Sequence, residues 1–299
     1  MGSDHTAYLM TAGLSSDDYR FLGRAPKEAF WRRYADYTSF ERPSAVVFCK
    51  DGAFRAYLSG IASARKDRTK TPLRYTLVME GQARTPAAES LLFALAAFVG
   101  DLVHVKPGPL SPASLGEALD KTFPEEFVEA ALSHLRDTDS KDTGPLAEVE
   151  SRIEKAIAAL PRDTHAADCH VRFFCGGRAS ESARATLVGY AERLLIDGEA
   201  GTILIVNLAS REHLELMGGT EPSCGVLFAG ESGEEAHSDP LEWPPKKGFP
   251  GSPKGLPRAF ALREVQAEPG LSIPHLGRII LRALRSVRDF FLGRRPANS

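Results

Sequence analysis

The chain has 299 residues, of which 43% are hydrophobic and 25% are charged, and its formal net charge is −2. This composition is typical of a soluble globular protein with enough apolar residues for about two hydrophobic cores. The net charge argues against a protein whose whole surface binds nucleic acid. The amino terminus predicts no secretory signal, and no apolar run reaches the roughly 18–20 residues of a membrane-spanning helix. The four cysteines lack the spacings of a disulfide framework, so we expect reduced thiols in a cytoplasmic protein.

Residues 1–136 predict an α+β module built around an antiparallel meander with flanking helices. Two apolar runs, 46–48 and 54–61, flank Asp51-Gly52, which is a strong hairpin signal because glycine accepts a positive φ. Pro72 and Gly81 bound a third apolar run. A first strand is predicted at 8–13, and helices are predicted at 27–37, 87–102 and 125–135. We expect the aromatic side chains of the first helix to pack in the core, and the second helix to lie buried across the sheet.

A basic loop is predicted between the second and third strands of the meander. Its cations outnumber the single acid Asp67, and they are Arg65, Lys66, Arg68, Lys70 and Arg74. Such a cluster can bind phosphates, nucleic acid or an acidic protein surface, whereas a solvated loop is the simpler interpretation. No aromatic residue is interleaved in the loop, which disfavours stacking on single strands. We therefore predict a protein-binding surface, with nucleic acid as a less favoured ligand.

A polar stretch at 137–145 predicts a linker, and residues 146–237 then predict an α/β module. After a helix at 146–160, strand and helix patterns alternate at 171–175, 180–196, 202–206, 210–217 and 226–228. Connections this short predict parallel pairing through right-handed crossovers, in a small Rossmann-like βαβαβ sheet.

In open parallel sheets, ligands bind outside the carboxyl ends of the strands. The residues predicted at these ends are Gly176, Gly177, Arg178, Asn207 and Ser210. A Gly-Gly turn before a helix can present backbone amides to an anion, with Arg178 beside it. The dinucleotide and phosphate-loop fingerprints are absent, so no cofactor is predicted, and a tight structural turn is the alternative.

Cys175 is the only cysteine that the sequence places for catalysis, because a thiol facing a helix N-terminus can have a lowered pKa, and His165, His170 and His213 are possible bases. Its neighbour His170 is five residues away on the same strand, and strand alternation places such residues on opposite faces. Nucleophile signatures and paired metal-ligand spacings are missing from the sequence. No catalytic residue and no metal site are therefore predicted.

Residues 238–257 are rich in proline and glycine and predict a tether or surface belt. Residues 258–299 predict an edge strand and then a basic amphipathic helix at 274–292, whose contact residues are Arg278, Arg282, Arg285, Arg288 and Phe291. Six arginines and one aspartate give residues 274–299 a net charge of +5, which leaves −7 on the remainder. Such a helix can dock on its own acidic body, enter an acidic groove of a partner, or lie on an anionic membrane.

Together these features predict a non-enzymatic, cytoplasmic binding or adaptor protein, with an accessory role in a bacterial conflict or defence system as one hypothesis for its setting. Its contact surfaces toward another protein would be the basic loop and the C-terminal helix. Two alternatives stay open. One is an enzyme or sensor that binds a phosphorylated small molecule near Cys175 and Arg178, and the other is peripheral membrane association through the C-terminal helix.

Overall fold

The computed structural model describes residues 5–14, 18–35, 38, 42–103, 114–137, 144–162, 164, 166–167, 173–178, 181–206 and 224–228. Within them, one mixed sheet combines with five α-helices. The strands are β1 (His5–Thr11), β2 (Arg20–Phe21), β3 (Ser44–Lys50), β4 (Ala53–Lys66), β5 (Pro72–Gln82), β6 (Phe173–Arg178), β7 (Gly201–Val206) and β8 (Cys224–Phe228). The helices are α1 (Pro86–Val103), α2 (Leu115–Thr122), α3 (Glu125–Asp137), α4 (Gly144–Ala158) and α5 (Glu181–Leu195). None of these helices has the length and apolarity needed to cross a bilayer.

The strands lie in the order β2-β1-β5-β4-β3-β7-β8-β6. The predicted meander is confirmed, because β3, β4 and β5 pair antiparallel, and β1 extends it beside β5. In its first turn, Asp51 and Gly52 have φ values of 53° and 76°, the positive pair that a tight two-residue hairpin turn requires. The predicted parallel pairing is also present, since β8 pairs in parallel with both β6 and β7.

The strands on the two sides of the predicted 137–145 linker belong to this one sheet. β3 pairs antiparallel with β7, from Ala45 opposite Ile205 to Cys49 opposite Gly201. Both strands are apolar, and Val46 and Ile203 have no exposed surface. The sequence predicted a separate sheet for each module. The structure differs because a buried apolar strand does not reveal from its own residues which strand will be its neighbour.

One face of the sheet is covered by helices. Alternate strand residues such as Val47, Leu58 and Leu77 share a core with Leu91 of α1, and with side chains of the other four helices. The prediction that α1 lies buried on the sheet is confirmed. Alternate residues of a strand point to the same face of the sheet, so each strand contributes several side chains to this core. The helices are therefore held against the strands that carry the candidate site.

The opposite face packs on aromatic side chains of a short 3-10 helix, Phe30–Tyr34. Trp31 stacks on Tyr57 of β4, with ring centroids 4.8 Å apart and 13° between the ring planes. The sequence predicted an α-helix at 27–37, whereas residues three apart align in a 3-10 helix and bring Trp31 and Tyr34 to the sheet together. The predicted core role of these aromatic residues is confirmed.

Candidate functional site

The β4–β5 hairpin carries the predicted basic loop beyond its neighbour β3. Pairing between β3 and β4 ends at Ser44 opposite Ser59, whereas pairing between β4 and β5 continues to Lys66 opposite Pro72. The additional strand, residues 60–66, adds roughly 20 Å at about 3.3 Å per residue. It begins at Gly60, where φ is 70° and a Cβ atom would collide with the backbone of Arg42. Glycine therefore allows the bulge at which the hairpin leaves the sheet.

The tip of the hairpin, residues 66–71, is held in one conformation by Asp67. Its Oδ1 atom accepts hydrogen bonds from the backbone N–H groups of Thr69 and Thr71, each at 2.8 Å, and from the Thr69 hydroxyl at 2.8 Å. The Asp67 N–H in turn donates to the Thr71 carbonyl oxygen at 3.0 Å. These hydrogen bonds, the Thr69 hydroxyl first among them, lower the pKa of Asp67. The turn is therefore ordered by its own side chain.

Three of the predicted cations remain at the surface of the tip. Lys66, Arg68 and Lys70 are exposed. The ion pairs found among the described residues include none of these three side chains. Arg74 is half-buried on β5, where its backbone N–H donates to the Tyr19 hydroxyl at 3.1 Å. The tip thus presents a compact positive surface of fixed backbone shape.

Arg65 does not join that surface, because its side chain turns into the base of the hairpin and is only 11% exposed. One guanidinium nitrogen, Nη1, lies 3.2 Å from a carboxylate oxygen of Glu125, and Nη2 donates to the Thr11 hydroxyl at 2.6 Å. Its guanidinium carbon is 4.9 Å from the ring centroid of Tyr75. The sequence predicted a contact residue, whereas the structure gives Arg65 a compensated, structural position.

Asp120 of α2 is the central acceptor of this base. Its Oδ1 atom accepts from the Ser63 hydroxyl at 2.6 Å and from the Tyr75 hydroxyl at 2.9 Å, and Oδ2 accepts from the Ala64 N–H at 2.7 Å. Burial is the main reason that the pKa of Tyr75 is raised, so this hydroxyl remains a donor. These hydrogen bonds hold both strands of the hairpin against α2.

Sequence reasoning missed this base because it missed α2. Three prolines at 107, 109 and 112 are typical of a loop, and no helix was predicted between 102 and 125. The available signal was a capping box, a serine followed three residues later by glutamate. Ser114 indeed caps α2, with its hydroxyl oxygen accepting from the Glu117 N–H at 3.0 Å.

The predicted ligand-binding glycines lie within β6 and not in a turn after it. Gly176 pairs with Leu227, and Arg178 pairs with Phe228, with an irregular register between them. Val206, the last residue of β7, pairs with Phe228 from the other side. The carboxyl ends of these three parallel strands therefore meet at one edge, which is also the edge beyond which the hairpin tip extends, since β4 and β7 are both antiparallel to β3.

Several predicted residues lie outside the described residues, namely Asn207, Ser210, Arg278, Arg282, Arg285, Arg288 and Phe291. The side chain of Cys175 is likewise not among those described. Cys49 is a buried free thiol on β3, and burial raises its pKa, which makes it a poor nucleophile. In the described part of the chain, no group of three or more His, Cys, Asp or Glu side chains is placed to hold a metal ion.

Comparison with known proteins adds no relative. No protein-family model matches this chain, and no curated protein and no solved structure is significantly similar to it. The candidate site is therefore interpreted from its own geometry.

Proposed function

We propose that this chain is a binding or adaptor protein that contacts an acidic surface of a protein partner through the tip of the β4–β5 hairpin. The observation that supports the proposal is the combination of a turn ordered by Asp67 with three exposed cations, Lys66, Arg68 and Lys70. A loop that is already ordered loses little conformational entropy on binding. Its exposed charges favour a complementary surface and accelerate the encounter with it.

The base of the hairpin supports this role by fixing the direction of the tip. Asp120 binds Ser63 on β4 and Tyr75 on β5, so both strands are held against the same helix. Arg65 adds an ion pair to Glu125 of α3. A partner that binds the tip would therefore be oriented relative to the helical layer.

An acidic protein surface fits the tip better than nucleic acid does. The tip is small, and Asp67 offsets one of its three exposed cations. Interfaces with nucleic acid are more extensive and more strongly positive. Residues 66–71 also contain no aromatic side chain on which a base would stack.

The proposal includes a second contact through the basic helix predicted at 274–292 and a cytoplasmic location. The basis for the helix is its sequence alone, which concentrates six arginines in residues 274–299. Membrane association through the same helix is the competing proposal, and flotation with liposomes that contain anionic lipid tests it.

The hairpin proposal is tested by co-purification of the tagged full-length chain from cells of its source, with identification of bound proteins by mass spectrometry. Reversal of charge in the tip, with Lys66→Glu, Arg68→Glu and Lys70→Glu combined, should abolish capture of the principal partner. The matched control combines Lys27→Glu, Lys50→Glu and Lys155→Glu, three exposed lysines elsewhere, and should retain it. Equal capture by the wild type and the tip variant would contradict the proposal, as would a partner released by nuclease.

A second candidate function is the binding of a phosphorylated small molecule at the carboxyl ends of β6, β7 and β8, as a Rossmann-like arrangement would provide. It is favoured by the register that places Arg178 and Val206 on the two sides of Phe228. This function predicts a rise in melting temperature with a nucleotide or sugar phosphate, and loss of that rise in Arg178→Ala. A panel of such ligands without any shift in the wild type would count against it.

A further inference from the structure

A cleft of about 370 Å³ lies at the opposite edge of the sheet from the hairpin tip. Its floor consists of Ala7 and Met79, which pair across β1 and β5. The first turns of α1 form one wall, and Ile153 and Ile157 of α4 form the other. Its volume is within the range of about 300–1,000 Å³ that small-molecule sites occupy.

The cleft exists because small side chains line it where larger ones would fill it. Ala7 and Ala87 are each 5% exposed and Met79 is 1% exposed, so the floor is made of small or buried side chains. Ala158, at the end of α4, lies exposed at its mouth. An apolar group that enters this space would be removed from water on several sides, which is the main source of affinity for apolar ligands.

The mouth of the cleft is lined by one cation, Arg162, and by the neighbouring side chains of His5 and Glu154. His5 Nε2 lies 3.5 Å from Glu154 Oε1, so Glu154 already has a polar partner within the cleft. Arg162 has no carboxylate partner among the described ion pairs. Its guanidinium carbon lies 4.5 Å from the ring centroid of Phe93, a cation–π contact that keeps the charge beside the cleft.

We propose that this cleft binds a small amphiphilic anion, a carboxylate attached to an aliphatic or aromatic body. The body would lie over the floor and against Pro86 and Ala158, the exposed apolar residues of the lining, and the carboxylate would face Arg162 at the mouth. The amino end of α1, which lines the same cleft, reinforces this polarity because its backbone dipole favours negative charge. This function is independent of the hairpin, since the two sites lie at opposite edges of the sheet.

The test is isothermal titration of the full-length chain with octanoate, with octanol as the same body without charge and acetate as the same charge without a body. Octanoate should bind saturably at one site per chain, while octanol binds at least about tenfold more weakly and acetate shows no saturable binding. Ala158→Leu should abolish octanoate binding by closing the mouth. The matched control, Ala159→Leu, alters the adjacent exposed residue outside the cleft and should bind as the wild type does.

Arg162→Gln provides a second variant that leaves the core untouched, since Arg162 is exposed. It should weaken octanoate roughly tenfold and leave octanol unchanged, because only the charged partner is lost. Absence of saturable octanoate binding would overturn the proposal. Equal affinity for octanol, unchanged binding in Ala158→Leu, or equal loss in both alanine variants would overturn it as well.

Discussion

The base and the tip of the β4–β5 hairpin use the same chemistry in different surroundings. At the base, Asp120 accepts three hydrogen bonds, and its side chain is 16% exposed. At the tip, Asp67 also accepts three, in a turn surrounded by solvent. When a buried hydrogen bond is broken, its donor and acceptor stay unpaired, which costs free energy. When a hydrogen bond at the surface is broken, water takes the place of the lost partner. Asp120 should therefore determine the stability of the fold, and Asp67 only the shape of the loop.

The largest expected effect is that of Asp120→Ala. It would leave the Ser63 and Tyr75 hydroxyl groups without their acceptor and remove one of the two carboxylates near Arg65, so the free energy of unfolding should fall by about 2–4 kcal/mol. Urea denaturation followed by circular dichroism measures this. Asp120→Asn retains an acceptor and should lose less. A decrease below about 1 kcal/mol in the alanine variant would show that the base is not a stability element.

A third carboxylate, Asp101 of α1, extends the comparison, because burial outweighs the Leu115 hydrogen bond and the Arg184 charge in setting its pKa. Among the described residues it accepts a hydrogen bond from the Leu115 N–H at 3.2 Å, and burial raises its pKa to about 7. The folded state therefore holds this proton more tightly than the unfolded state, and stability should fall as pH rises from about 4 to about 7. Asp101→Asn should remove that loss.

The expected gain in Asp101→Asn is on the order of 2 kcal/mol near pH 8 and close to zero near pH 4. Urea midpoints measured across this pH range test it, with the wild type as reference at each pH. The same gain at both ends of the range would show that the proton on Asp101 is not responsible.

The smallest effect on stability is expected for Asp67→Ala. The unfolding midpoint should stay near that of the wild type, while the amide protons of Thr69 and Thr71 exchange faster because they lose their acceptor. Hydrogen exchange followed by NMR measures the tip directly, and partner capture should weaken in parallel. Asp67→Asn, which keeps an acceptor oxygen, is the control. Unchanged exchange in the alanine variant would mean that the backbone alone orders the turn.

The difference between tip and base also explains what could be predicted from the sequence. The tip depends on local contacts, and both the hairpin and its exposed cations are visible in the order of residues. The base joins Ser63 to Asp120, which are 57 positions apart. Asp120 lies on α2, a helix that was not predicted because prolines precede it. Arg65 was misplaced for a related reason. Because β4 continues to Lys66, Arg65 and Lys66 are adjacent residues of one strand, and their side chains point to opposite faces.

The ends of the parallel strands follow the same rule. Strands and parallel pairing were predictable from apolar runs and short connections. The extent of β6 was not, because Gly176 and Gly177 are typical of a turn and yet lie within the strand, where Gly176 pairs with Leu227 of β8. Because glycine has no side chain, the sequence gives no hydrophobic pattern from which its place in a strand could be predicted.

The pairing of β3 with β7 has a practical consequence for anyone who divides this protein. A fragment that ends near residue 137 would keep β3 but lose the strand that satisfies its outer row of N–H and C=O groups. Its bare edge, with Val46 and Val47 uncovered, would be a template for pairing with other chains. Such truncations should self-associate, and only pieces that retain both halves should remain monodisperse.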